Sequence, residues 1–146
     1  MNTVEKVQLI SIKTHVDDRG FLNQVFEEGQ EHFMKVKRVY LVGNFDTGVV
    51  RGLHMHRKER KCFYVAKGAA KFVVLDEEQT NPKTFVLSER NPSLLVVPPN
   101  HYHGWMSLER ETILISLSDE TLKESLEDDF RIDPYKFGDL WSVKPR

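Results

Sequence analysis

Four of the six histidines in this 146-residue chain fall in two short clusters. The first is Val50-Arg51-Gly52-Leu53-His54-Met55-His56-Arg57-Lys58-Glu59-Arg60-Lys61, which runs directly into the apolar stretch Cys62–Ala66. The second is Pro98-Pro99-Asn100-His101-Tyr102-His103-Gly104-Trp105. Side chains alternate along an extended chain, so His54 and His56 face the same way. Two chemistries use such an arrangement. Neutral imidazoles with a carboxylate bind a divalent ion. Alternatively, one imidazole takes a carbon-bound proton while cationic groups stabilise the enolate that develops. His54 and His103 are the leading candidates, and His56 reads equally as part of the site wall or as a support behind it. His101 reads as a rim residue, and His15 and His32 read as surface or loop positions.

The elements that must carry these residues are strands. Short runs rich in β-branched residues occur at Val7–Ile12, Val36–Val42, Cys62–Ala66, Lys71–Leu75, Thr84–Leu87, Leu94–Val97 and Thr112–Leu117. Each has strand length and is bounded by turn-forming or charged residues. The connections are spelled out by Asp17-Asp18-Arg19-Gly20, Asp46-Thr47-Gly48, Lys67-Gly68, Asp76–Pro82 and Pro98-Pro99-Asn100. Helical periodicity is scarce. Glu27–Met34 could make one or two turns, and Glu120–Glu127 a short helix. Many short strands without alternating helices predict an all-β sandwich or barrel formed by residues 1–146 as a single domain. Phe130, Tyr135, Phe137 and Trp141 predict a short, mainly helical or irregular C-terminal tail packed on it.

Composition limits the function classes. Lys plus Arg is 21 and Asp plus Glu is 22, a net charge of −1, which argues against a nucleic-acid binder. The single Cys62 excludes an intrachain disulfide and is read as structural. The start MNTVEKVQLI lacks the apolar run of a secretory signal, and no run is long enough to span a membrane. The expectation is a cytoplasmic protein with neither nucleic-acid nor membrane partners.

With these residues in view, the chain resembles the dTDP-4-dehydrorhamnose 3,5-epimerase family, jelly-roll sugar-nucleotide epimerases of the cupin superfamily. Val49-Val50-Arg51-Gly52-Leu53-His54 is similar to the family's V-L-R-G-L-H, and Lys61 with Gly68 to its K-L-V-x-V-x-x-G strand. Pro98-Pro99-Asn100-His101-Tyr102-His103-Gly104-Trp105 is similar to I-P-x-G-F-A-H-G-F. Asp18-Arg19-Gly20-Phe21 matches D-x-R-G-F-F, and Ile132-Asp133-Pro134 with Leu140-Trp141 resembles W-N-D-P followed by I-x-W. The matches occur in family order over nearly the whole chain.

The resemblance implies a double-stranded β-helix jelly roll, a cupin-like barrel. It also implies epimerisation at C3, C5 or both of a dTDP-linked 4-keto-6-deoxy sugar through an enolate. In this reading His54 is the base, Asp133 orients it, and Lys61 and His103 stabilise the 4-oxyanion. The substrate-binding candidates are Arg19, Phe21, Gln24, Arg51, His56, Tyr102, Trp105 and Ser116. Arg51 and Arg19 are the diphosphate contacts, for which a forked guanidinium is suited. The resemblance further implies a homodimer, a nucleotide-sugar substrate, no cofactor and no metal.

Several residues depart from the pattern. The family's acidic tyrosine, thirteen residues after the pocket histidine, falls on Ser116, a far poorer acid. Tyr102, Tyr64 and Tyr40 are the candidates to replace it. Gln24 stands where a glutamate is expected, and Met55 where an aromatic is expected. The run Arg51-Gly52-Leu53-His54-Met55-His56 also resembles the R-G-x-H-x-H of the sugar 3,4-ketoisomerases, which are short and lack the tyrosine too. Ketoisomerisation is therefore the alternative function. A metal-dependent cupin would need a glutamate four or five residues beyond His56, where Arg60 and Lys61 stand instead. A barrel that binds sugar nucleotides without turnover is the non-enzymatic alternative, motivated by Ser116.

Overall fold

The computed structural model describes residues 5–146. The chain runs through β1 (Gln8–Ser11), β2 (Thr14–Asp17), β3 (Gly20–Asn23), β4 (Arg38–Asn44), β5 (Val50–Met55) and β6 (Lys61–Lys67). It continues through β7 (Ala69–Asp76), β8 (Lys83–Ser88), β9 (Ser93–Val97), β10 (His101–Ser107), β11 (Thr112–Ser118), α1 (Leu122–Leu126) and β12 (Phe130–Arg131). Two five-stranded antiparallel sheets carry the fold, in the orders β1-β9-β6-β11-β4 and β12-β5-β10-β7-β8, while β2 and β3 form a separate hairpin. This is the expected all-β, cupin-like architecture.

Alternation along the strands decides what faces the space between the sheets. Phe63 and Val65 of β6, Phe72 and Val74 of β7, and Trp105 of β10 point inward and form one cluster. Their neighbours Cys62 and Tyr64 lie on the opposite side of β6, packed against Ile12, Phe26, Met34 and Val36. The outer side of the second sheet carries Leu53, Met55, Val73 and Tyr102, and the tail covers it with Ile132, Phe137, Leu140 and Trp141. Trp141 donates its indole N–H to the Pro134 carbonyl at 2.8 Å, which anchors the tail. Of the four tail aromatics, Phe137 and Trp141 pack as expected. Tyr135 is exposed, and Phe130 is 40% exposed with the Arg57 guanidinium over its ring.

All seven expected strands form: five are extended by one to three residues, β1 is one residue shorter at each end than expected, and β4 starts and ends two residues later. The polar stretches around the histidines are strands as well, because β5 and β10 pair with each other and find backbone partners whatever their side chains. Glu27–Met34 makes turns rather than a helix. His32, expected at a surface or loop position, lies in a turn but is buried, edge-on against Phe26. The short helix forms at Leu122–Leu126, its N-cap Thr121 accepting from the Glu124 N–H.

Candidate active site

The histidine clusters meet because β5 and β10 are neighbours. Their register places His103 directly opposite His54, and a shift just beyond His103 is accommodated at Gly104. A Cβ on Gly104 would stand 2.6 Å from the Arg51 carbonyl oxygen and 3.1 Å from the Gly52 Cα, so no larger residue fits. The ring centroids of His54 and His103 are 6.4 Å apart, and those of His56 and His103 are 5.8 Å apart.

His54 and His56 line a pocket of about 400 Å³. Its other walls are Arg38 and Tyr40 of β4, Lys61 of β6, and Leu122, Ser125, Leu126, Asp129 and Arg131 from the α1–β12 segment. His103 lies buried behind the two histidines, with its ring against Phe63. The two sheets both contribute, the His54 side with Arg131 beside the imidazoles, and the β4–β6 side with Arg38, Lys61 and the Tyr40 phenol. Pairing β4 with β11 sets Tyr40 directly opposite Ser116, whose hydroxyl is buried with no hydrogen-bond partner.

The electrostatics assign the histidines unequal states. Burial is the main cause that brings His54 down to about 4; Arg131, Lys61 and His56 lower it further, and Asp129 opposes them. Burial likewise holds His103 well below the ordinary imidazole value, reinforced by Lys61, His56 and His54. Both rings are therefore neutral at pH 7 and hold a free lone pair. The carboxylate beside His54 is Asp129, with Oδ1 3.7 Å from Nδ1, and Arg131 donates to Asp129 Oδ2 at 2.8 Å. His56 is fixed through Nδ1, 2.5 Å from the Asp128 carbonyl oxygen. Asp128 also accepts the N–H groups of Arg57 and Lys58, which pins the β5–β6 loop to the tail.

His54, His56, Lys61 and His103 are brought together. Other expected site residues lie elsewhere. Asp133, the expected partner of His54, is exposed and accepts from the Tyr135 N–H; Asp129 holds the place beside the ring instead. They are four positions apart in the chain, and the β12 pairing that aligns Arg131 with His54 is what brings Asp129 to the ring. Tyr102 faces the tail side of its sheet, because it alternates with His103. Trp105 shares the inward side with His103 but lies in the core, stacked on Phe72. Arg51 is exposed and bonded to Asn44 Oδ1 and the Gly43 carbonyl, outside the pocket lining. Arg19, Phe21 and Gln24 belong to the β2–β3 arm and are exposed, with Arg19 paired to Asp17. Tyr64, another expected substitute for the tyrosine, lies on the outer side of β6 and accepts from Asn23.

Sequence reasoning missed Arg38, Asp129, Arg131 and Glu59. Asp128-Asp129 carries no motif, and only the contact between the tail and β5 brings it to the histidines. Glu59 is buried against Lys61 and His56. Among the described residues no three His, Cys, Asp or Glu side chains converge as a metal site requires.

The family model FdtA (WxcM-like, C-terminal) matches residues 5–140. The chain belongs to this family. A dTDP-4-dehydrorhamnose 3,5-epimerase from Sinorhizobium fredii is 30% identical over 126 residues, covering 77% of this chain and 64% of the relative. The crystal structure of a dTDP-4-dehydrorhamnose 3,5-epimerase from Bacillus anthracis, with TDP and PPi bound, shares the fold. It aligns with a TM-score of 0.81 at 23% identity over 95% of this chain and 86% of its own. A double mutant of the QdtA 3,4-ketoisomerase from Thermoanaerobacterium thermosaccharolyticum, in complex with TDP, aligns with a TM-score of 0.74 at 25% identity. That alignment covers 92% of both chains. The FdtA-family chain therefore falls among sugar-nucleotide epimerases and ketoisomerases, as its motifs imply, and an enzyme is supported. Among the described residues no helix is long and apolar enough to cross a membrane.

Proposed function

We propose that this FdtA-family protein is an isomerase of a nucleotide-linked 4-keto-6-deoxy sugar, in which His54 removes the C3 proton and the ketone moves from C4 to C3. The observation that carries the reading is the one-sided placement of the bases. His54, His56 and His103 all stand on the β5–β10 wall. A ketone next to C3 acidifies its proton; abstraction gives an enediolate spanning C3 and C4, and the C3 hydroxyl proton passes to the C4 oxygen, so that C3 becomes the carbonyl carbon and C4 the carbinol carbon. Returning the proton to C4 from the same wall completes ketoisomerisation with one base. Inversion needs a second acid on the opposite face. Lys61 and Arg38 offer positive charge to the oxyanion that develops at C4. Asp129 stabilises the imidazolium that His54 becomes while it carries the proton. The span of the alignment with the ketoisomerase, nearly the whole of both chains, supports the same outcome.

A second reading is C3 epimerisation, and Tyr40 is what favours it. Tyr40 stands across the pocket from His54, at the cross-strand position next to Ser116. A phenol there could deliver a proton to the opposite face of the sugar. Incubation with a dTDP-linked 4-keto-6-deoxyglucose in D2O, followed by NMR, separates the two. Movement of the ketone to C3 supports isomerisation. Deuterium at an inverted C3 with the ketone still at C4, abolished by Tyr40→Phe, makes the protein an epimerase.

The reading carries a homodimer with it. Val16, Phe21 and Leu22 on the β2–β3 arm are 75%, 74% and 60% exposed, and Val39 and Leu41 on edge strand β4 are 61% and 70% exposed. A second copy would cover these side chains and bring Arg19 of the arm towards a neighbouring pocket. Light scattering at micromolar concentration tests it: the mass of a single chain would refute the dimer. A cytoplasmic location and the absence of a resident cofactor or metal belong to the same proposal.

A further inference from the structure

Among the described residues Glu59 is the most buried acid, at 2% exposure, with no exposed side-chain area at all. Neither of its oxygens is reached by a hydrogen bond of good geometry. What surrounds it is a ring of cationic and ionisable groups. Lys61 Nζ lies 3.0 Å from Oε1, His56 Nε2 lies 3.6 Å from the same oxygen, and the Arg38 guanidinium lies 3.6 Å from Oε2. Burying a carboxylate costs several kcal/mol unless its partners recover it. Packing alone would be served as well by a neutral side chain of the same shape. The three partners are all pocket-lining residues, contributed by β4, β6 and the residue that follows β5.

We propose that Glu59 is a positioning residue, which fixes from behind the pocket wall where the Lys61 ammonium, the Arg38 guanidinium and the His56 ring stand. The consequence for turnover rests on the isomerase reading above; the placement itself does not. A lysine ends a flexible four-carbon stem, and its charge is useful at a developing oxyanion only if held at one place. Glu59 supplies the anchor at 3.0 Å. It also draws Lys61 and Arg38 to one point behind the Tyr40 ring, whose centroid is 5.6 Å from Lys61 Nζ and 4.7 Å from the Arg38 guanidinium carbon. His56 is held at Nδ1 by the Asp128 carbonyl, and its Nε2 faces the Glu59 carboxylate at 3.6 Å without a hydrogen bond. The carboxylate has no exposed surface through which to touch a sugar, so it acts through these neighbours.

Glu59→Gln keeps the shape and removes the charge. Displacing a catalytic group by about 1 Å can cost on the order of a hundredfold. The expected result is therefore a kcat lowered by about tenfold or more with KM within about threefold, the pattern of an interaction made in the transition state. On a Lys61→Met background, Glu59→Gln is expected to lower kcat by clearly less than it does in the wild type, because the part of its effect that runs through Lys61 is already gone. An unchanged kcat, or losses that multiply independently, would overturn the proposal. A crystal structure of the unliganded Glu59→Gln protein gives a readout that needs no substrate. Lys61 Nζ is expected to move by more than about 1 Å, the scale that matters for catalysis. Unmoved Lys61 and His56 would overturn the proposal even if the isomerase reading stands. A wild-type protein inert towards every nucleotide sugar would overturn that reading and leave the crystallographic result to decide this one. Should Glu59→Gln not fold, Glu59→Asp, which keeps the charge but shortens its reach, carries the same measurements.

Discussion

Replacing Asp129 by asparagine removes one negative charge 3.7 Å from the Nδ1 of His54 and leaves the shape almost unaltered. At an effective dielectric constant near 20, two unit charges at that separation attract by about 4 kcal/mol. Two features reduce the useful part. Arg131 already neutralises Asp129 from 2.8 Å, and the His54 side chain is 32% exposed. Roughly 1–3 kcal/mol remains for the imidazolium formed when His54 takes the C3 proton, about a ten- to hundredfold loss in kcat. The pH profile separates this loss from simple protonation. His54 sits at about 4 in the folded protein, so the neutral, active base predominates above that value and kcat/KM falls as pH drops through it. Asp129 acts to raise His54, so its removal shifts this acid limb further down. At pH 7.5 the variant is thus fully deprotonated yet slow. The assay is loss of the C3 proton signal in D2O across a pH series. An unchanged plateau rate in Asp129→Asn, or an acid limb that moves up, would refute the role assigned to this carboxylate. Asp133→Asn, made in parallel, is expected to leave the rate within about twofold, since an exposed carboxylate away from the pocket lining has little purchase on His54.

Three further outcomes follow from the same geometry. His54 and His103 are held below the ordinary imidazole range in the folded protein, so the unfolded chain binds their protons first. Their stabilising contribution is complete above about pH 6.5 and is lost as pH falls below it, by on the order of 1 kcal/mol per pH unit for each histidine. In urea titrations between pH 7 and 5, His103→Gln should lower that slope by about half; an unaltered slope would contradict the assignment. Gly104→Ala sets a Cβ against the backbone of β5 at 2.6 Å and should destabilise by about 3 kcal/mol, read from the urea midpoint. Phe72→Ala empties the space that the ring fills between Phe63 and Trp105 and should cost about 3–5 kcal/mol in the same titration.

The parts of the site that were legible in the sequence are those set by strand periodicity. His54 and His56 face one way because strands alternate, and the seven apolar runs became strands because each could bury one side. The same rule separates Tyr102 from His103, and applied strictly it places Tyr102 outside the pocket. Trp105 shares the inward side but lies deeper, a matter of distance along the barrel that alternation does not report. Asp129 was missed because its position depends on where the tail turns back, and that is set by the pairing of Phe130 and Arg131 with Met55 and His54. Glu59 lies in the loop between β5 and β6, where no period applies. Its burial arises from the clasp of Asp128 on the Arg57 and Lys58 amides, a contact about 70 residues distant in the chain. The cross-strand pairing of Tyr40 with Ser116 likewise needed the register of two strands far apart in sequence.

The most direct test of the central proposal is the fate of the C3 proton on a dTDP-linked 4-keto-6-deoxyglucose in D2O, for the wild-type protein and for His54→Asn. Loss of the C3 proton accompanied by movement of the ketone to C3 is the predicted result, with both abolished in the variant. Undiminished exchange in His54→Asn would contradict the account, because it would remove the base from the wall on which the whole mechanism is built.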